Sequence, residues 1–369
     1  MKTKAAVVYE PGKRIEIEEL DLDGPKDGEV LIRYTHAGLC HSDIHIAHGD
    51  LPARLPMVLG HEGAGIIEEV GAGVTRAKPG DHVVLSFIPN CGVCRYCATG
   101  RQSICDMGAT ILEGYLPGER FPNTGPRGQY GAMCMIGTFS QYGVISQTSA
   151  VKVDDDLPLE KAVLVGCGVP TGWGSAVNTA NVAPGDTVAI YGIGGIGINA
   201  VQGARYAGAK NVIAIDPLDN KREKALELGA THAFSDYDEA QATITQLTRG
   251  QGADSAILTV DVMTAAVVEA GFNAVGKGGV VVLTGLGRME PNIQLPGNIL
   301  TLYRKSVKGS LFGDCNPTYD IPKLLGLYRD GQLKLDELIT RTYTLDQVNE
   351  GYDDLLAGKN VRGVIVHEH

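Results

Sequence analysis

The sequence predicts an α/β protein that combines a mainly β portion with a doubly wound parallel sheet. From residue 1 to about 160, short strand-like runs are broken by Gly and Pro, an all-β signature. Past Pro184, apolar strand runs alternate with helical stretches, as βαβ units on a parallel sheet do. A glycine run, GIGGIG at residues 192–197, joins the first of those strands to a helix.

In chain order, AAVVYE, IEIEEL, EVLIRYTHAG, GAGIIEEV, DHVVLS and FSQYGVI are β-branched or alternating runs bounded by turn residues, and each reads as a strand. The stretch from Asp106 to Gly137 is rich in Gly and Pro and has no clear period, so it reads as a long functional or mobile loop. TVAIYG, NVIAID, SAILTV and GVVVLTG then read as buried strands, with helical segments such as DNKREKALELGA between them. The last sixty residues add two helical stretches, YDIPKLLGLYRDG and LDQVNEGYDDLLAGK, and a closing strand, RGVIVHE.

A chain of 369 residues is long for one core, so about two domains are expected. Its net charge of -11 offers no general attraction to nucleic acid or anionic lipid, which sets both aside as partners. The opening MKTKAAVVYEPGKRIEIEEL alternates apolar with charged residues and lacks a signal peptide's apolar run. No stretch reaches the roughly 18 apolar residues of a membrane span. The expected location is cytoplasmic, where thiols stay reduced and clustered cysteines point to metal rather than disulfides.

Four of the eight cysteines fall within fifteen positions, CGVCRYCATGRQSIC. Cys91, Cys94, Cys97 and Cys105, with Gly92 and Gly100 permitting tight turns, suit a closed four-thiolate zinc site better than a chance group of surface thiols or a redox pair. Cys40 in GLCHSDIH, His61 in GHEGAG with Glu62 beside it, and Cys167 in GCGVPTGWG would make a three-ligand zinc site with one open position. On residue types alone they read equally as buried thiols and a hydrogen-bonded core histidine. Gly192, Gly194 and Gly197 lie between an apolar strand and a helix, where backbone amides can approach a pyrophosphate. Asp216, nineteen residues beyond Gly197 at the end of the next strand, is placed to accept from both ribose hydroxyls.

These motifs together, with the late NVRG, resemble the zinc-containing medium-chain alcohol dehydrogenases over nearly the whole chain. The resemblance implies a GroES-like, mainly β catalytic domain from 1–168 and 312–369, carrying the zinc lobe at about 91–105. A Rossmann domain would span 169–311. It implies two zinc ions per chain, the catalytic one on Cys40, His61 and Cys167 with Glu62 beside the metal, and the structural one on the four clustered cysteines. Ser42 and His45 match a proton relay that runs through the cofactor ribose, and Asp43 an acid that orients the histidine ligand. Thr171 matches a nicotinamide contact, Gly192, Gly194, Gly195, Ile196 and Gly197 the pyrophosphate turn, Asp216 and Lys221 the adenosine ribose, and Arg362 a pyrophosphate contact. His41 stands where an arginine is common and supplies a weaker cation for the cofactor. Phe87 matches a substrate-pocket aromatic and reads equally as core.

The implied activity is reversible oxidation of a primary alcohol to an aldehyde by hydride transfer to NAD, with zinc as Lewis acid. The segment from Asp106 to Gly137 and SLFGDCNPTYDIPKLL resemble an actinobacterial type that keeps its nicotinamide tightly bound and uses an external acceptor such as a nitrosoaniline. The alternatives are a thiol-dependent formaldehyde dehydrogenase and a non-catalytic cofactor-binding protein on the same fold. A homodimer or homotetramer acting on a small alcohol or aldehyde is the implied assembly.

Overall fold

The computed structural model describes residues 1–285 and 292–369. The chain forms two compact units, Met1–Cys167 with Asn316–His369, and Gly168–Cys315.

In the first unit five short strands, Lys2–Val8, Glu16–Leu22, Asn123–Gly125, Gly128–Ala132 and Met57–Val58, join in that order into a closed barrel. Ala5, Val7, Leu20, Val58 and Tyr130 fill it. Two of its strands lie within 106–137, the stretch that reads as a loop from the sequence. With three glycines in eight residues, Asn123–Gly125 and Gly128–Ala132 are too short and too poor in side chains to display an alternation. Their pairing with each other and with neighbouring strands is what makes them strands.

The remaining strands of this unit form a seven-stranded sheet whose central strand, Glu29–Gly38, pairs antiparallel with Gly63–Val70, with Arg362–Val366 and with Tyr142–Ser146. The register sets Ala37 opposite Gly63 and Gly38 opposite Val364. The chain therefore leaves the central strand toward Cys40, enters one neighbour from His61 and Glu62, and enters the other at Arg362. Two backbone bonds fix this meeting point, Gly38 N to Glu62 O at 3.1 Å and Leu39 N to Gly363 O at 2.9 Å.

The second unit is a six-stranded parallel sheet in the order His232–Phe234, Asn211–Ile215, Thr187–Tyr191, Ala253–Leu258, Val275–Leu283 and Ser306–Gly309. The Val- and Ile-rich strands are buried, as parallel strands covered by helices must be. Tyr191, Ile213, Ile244, Val267 and Phe272 belong to one core cluster. Helix Tyr237–Leu247 starts where the Asp236 side chain accepts from the amides of Asp238 and Glu239, and helix Ala265–Ala274 where Thr264 accepts from Val267. No helix among the described residues is long and apolar enough to cross a membrane.

Candidate active site

The strand register gathers Cys40, His61 and Glu62, and the turn ending at Gly166 adds Cys167. The four side chains are buried, and one donor atom from each lies within 4.8 Å of the others. Cys167 Sγ stands 3.5 Å from His61 Nε2. His61 Nδ1 donates to Asp43 Oδ1 at 3.1 Å, so Nε2 is the nitrogen turned toward the sulfurs. Asp43 is itself held by the amides of Gly60 at 3.1 Å and Cys40 at 3.2 Å. Helix His41–His48 begins at Cys40, so one turn of helix supplies Ser42, Asp43 and His45 together. Ser42 Oγ is 3.8 Å from Cys40 Sγ, and the Phe87 ring meets His61 edge-on at 5.8 Å.

Charge is unevenly placed here. The hydrogen bond from Cys167 and the nearby His61 hold the Cys40 thiol well below its ordinary range despite burial, while the same bond and burial push Cys167 well above. Burial also raises the Glu62 carboxyl against the pull of Arg362, whose guanidinium pairs with Glu62 Oε2. Among the described residues, Glu62 Oε1 is buried without a hydrogen-bond partner. An orphaned carboxylate oxygen beside two sulfurs and an imidazole nitrogen is the donor chemistry of a zinc site.

In the second cysteine group one sulfur from each of Cys91, Cys94, Cys97 and Cys105 lies within 4.8 Å of the rest. The Cys91–Cys97 and Cys94–Cys105 separations are 3.9 and 4.0 Å. Those are too long for disulfides and close to the roughly 3.8 Å edge of a tetrahedron built on Zn–S bonds of about 2.3 Å. Gly92 and Gly100 occupy left-handed turns, at φ +80° each, that let amides point back at sulfur: Cys94 N to Cys91 Sγ at 3.3 Å and Cys97 N to Cys94 Sγ at 3.4 Å. The Cys97 amide leads the forces that push Cys94 down to about 6, whereas burial pushes Cys105 up to about 12. Four sulfurs this close ionise together only around a cation, and the set fits a closed zinc site.

The second unit holds the dinucleotide motif. Gly192 takes a left-handed φ of +87°, and a Cβ on Gly197 would run into the Gly192 carbonyl, so the helix Gly197–Tyr206 packs against the turn only without a side chain there. A Cβ on Gly194 would meet nothing within 4 Å, which leaves the space a pyrophosphate needs. Gly195 and Ile196 complete the turn, the Gly195 carbonyl accepting from Asn199 at 2.8 Å. Asp216 Oδ2 accepts from the Ile193 amide at 2.7 Å and Oδ1 from the Leu218 amide at 2.9 Å. Arg222 donates to the Asp216 carbonyl oxygen at 2.7 Å and pairs with Asp219. Lys221, on the same helix, is half-buried. Thr171 is buried, its carbonyl accepting from Ser175 Oγ at 2.7 Å.

His41 and Arg362 belong to the first unit, and Arg362 is engaged there by Glu62. Sequence reading missed that pairing, because residues 300 apart give no local signal. It also missed Tyr352, buried beside Asp43 with its ring 6.2 Å from Phe139. Asp50, whose carboxylate lies 3.1 Å from His45 Nδ1, was missed too, although Gly49 before it is a legible helix stop.

Two family profiles match the chain: the alcohol dehydrogenase GroES-like domain over residues 26–155 and the zinc-binding dehydrogenase over residues 195–330. The chain is 63% identical over 368 residues to the NDMA-dependent alcohol dehydrogenase of Amycolatopsis methanolica, covering 100% of this chain and 99% of that one. It is 47% identical over 368 residues to alcohol dehydrogenase B of Mycobacterium tuberculosis, covering 99% and 98%. Among solved structures, the alcohol dehydrogenase zinc-binding domain protein from Burkholderia ambifaria superposes with a TM-score of 0.94 at 32% identity, over 100% of both chains. The benzyl alcohol dehydrogenase from Acinetobacter calcoaceticus does so with a TM-score of 0.93 at 30% identity, again over 100% of both.

Proposed function

Because this chain belongs to the zinc-containing medium-chain alcohol dehydrogenases, we propose that it oxidises a primary alcohol to an aldehyde, reversibly, with NAD as hydride acceptor. The observation that carries this reading is the buried group of Cys40, His61, Glu62 and Cys167, with its orphaned carboxylate oxygen. Cys40, His61 and Cys167 would hold zinc, and the four clustered cysteines a second ion. When bound, zinc supplies Lewis acidity toward an alcohol oxygen and NAD supplies the hydride acceptor.

The chain's own residues do the rest. Asp43 keeps the His61 proton on Nδ1 and so keeps on Nε2 the lone pair that a metal needs. Glu62, neutralised on one oxygen by Arg362, balances the charge of the metal group from the side. The Ser42 hydroxyl would take the alcohol proton as it gives up its own, and His45 would carry a proton onward to water. Phe87, edge-on to His61, gives the substrate an apolar wall. In the second unit Gly194 leaves room for the pyrophosphate, Thr171 contacts the nicotinamide, and Asp216 with Lys221 binds the adenosine ribose. Arg222 gives one donor to the Asp216 carbonyl and another to Asp219, contacts that hold it to the chain around Asp216.

The likeness to an NDMA-dependent relative supports a cofactor that stays bound and is reoxidised by an external acceptor of the nitrosoaniline class. A homodimer or homotetramer working in the cytoplasm completes the reading. The test is zinc and nucleotide analysis of the purified protein, with turnover of a panel of primary alcohols with and without added NAD and with a nitrosoaniline. Two zinc ions, co-purifying NAD and acceptor-dependent turnover are expected. Protein replete in zinc and NAD that turns over no alcohol with either acceptor overturns the assignment.

A further inference from the structure

Resting on the relay reading above, we infer that Asp50 is the positioning residue of His45: it holds the imidazole as the Nδ1–H tautomer and so makes Nε2 the nitrogen that exchanges the proton.

The helix end builds this contact. Helix His41–His48 stops at Gly49, which takes a left-handed φ of +82°. The turn directs the Asp50 amide back to the His45 carbonyl at 2.8 Å, a 6→1 bond of the kind that closes helix C-termini around a left-handed glycine. The Leu51 amide reaches the same carbonyl at 3.1 Å. A Cβ at Gly49 would press on the Pro11 ring, so the turn is restricted by packing as well as by φ. With the Asp50 backbone pinned to His45, its side chain returns to the same residue, and Oδ2 lies 3.1 Å from His45 Nδ1. The two side chains are 7% and 20% exposed, so water competes weakly for the bond.

A carboxylate only accepts, so the shared hydrogen belongs to Nδ1, and a neutral imidazole protonated there has its lone pair on Nε2. When Nε2 takes up the relay's proton, the resulting imidazolium faces the Asp50 charge, which stabilises it without any movement of the ring. Asp43, in the first turn of this helix, treats His61 in the same way. The helix and the turn that ends it thus supply two carboxylates, Asp43 and Asp50, that fix the Nδ1 protons of two histidines, His61 for binding metal and His45 for moving protons.

Ring-nitrogen NMR of the zinc-replete protein labelled with 15N-histidine tests this directly, with the His45 signals assigned by their loss in His45→Gln. The expected wild-type spectrum has the His45 proton on Nδ1, and Asp50→Asn should give a mixture of tautomers. In kinetics with the alcohol turned over fastest, Asp50→Asn should lower kcat about tenfold with little change in KM, a modest loss on the scale of general acid–base effects. In a His45→Gln background the same change should alter kcat less than about twofold, because a residue that acts through His45 has nothing left to act on. A wild-type His45 carrying its proton on Nε2, or additive effects in the double variant, overturns the inference. The spectrum is read without turnover. Protein that oxidises no alcohol would therefore count against the reaction assigned above, while the position of the proton still decides whether Asp50 fixes His45.

Discussion

The proposed preference for NAD rests on Asp216 and on two hydrogen bonds it already makes. Its carboxylate is fixed by the Ile193 and Leu218 amides, and a fixed anion at the end of the second strand accepts from a ribose diol but repels a 2′-phosphate. Competitive binding to zinc-replete protein stripped of nucleotide should favour NAD over NADP. Asp216→Gly should weaken NAD about tenfold or more while NADP changes little, since hydrogen bonds to a charged group contribute roughly 1.5–3 kcal/mol. Wild type preferring NADP, or an unchanged ratio in the variant, would count against the role; damage to the glycine turn would weaken both cofactors and leave the ratio. His45 gives a second residue-scale prediction. His45→Gln should slow alcohol oxidation about tenfold near neutral pH and much less as hydroxide rises, because bulk base replaces a missing shuttle. A parallel pH–rate profile, recorded where hydride transfer limits turnover, would argue that His45 moves no proton.

At the scale of elements, the strand Arg362–Val366 does more than deliver Arg362 to Glu62. His367, the next residue, donates its amide to Thr35 O at 3.0 Å and sets its ring Nε2 3.0 Å from Thr138 O, in a buried position. Burial drives its pKa from the ordinary 6.5 down to about 3. Because the folded value lies below the unfolded one, unfolding takes up a proton between them. The stability this group confers is complete above about pH 6.5 and drains away as pH falls toward about 3, a loss on the order of a few kcal/mol by pH 4. Urea midpoints measured from pH 7 to pH 4 should therefore fall less steeply for His367→Gln than for wild type, and equal slopes would exclude the linkage. Elements also mark where sequence reading stops. The strands of the parallel sheet announce themselves by apolar runs, whereas Asn123–Gly125 and Gly128–Ala132 exist only because the barrel has places for them.

For the whole molecule, the two cysteine groups predict two different failures. Closed four-sulfur sites contribute folding energy, while a site kept open for substrate contributes chiefly chemistry. Cys94→Ser should lose about one zinc per chain and loosen the lobe around 91–105, seen as faster proteolysis there. Cys167→Ser should lose the other ion and leave a folded, inactive protein with an unchanged thermal midpoint to within a few degrees. Wild-type protein carrying one zinc or none would contradict the pairing of these outcomes. By itself the sequence determined the family, the α/β class and the four-cysteine lobe, because each is written in contiguous residues: strand runs, a glycine turn between strand and helix, and thiols three, three and eight positions apart. Only the tertiary structure decided which scattered residues stand together. Cys40, His61, Glu62 and Arg362 meet because three strands align in one register, with Cys167 brought to them by the turn ending at Gly166, and register is set by packing across the sheet rather than by any local pattern. Asp50 is a local case: its carboxylate reaches His45 because Gly49 turns the chain back, and only the folded turn shows that the side chain follows the backbone.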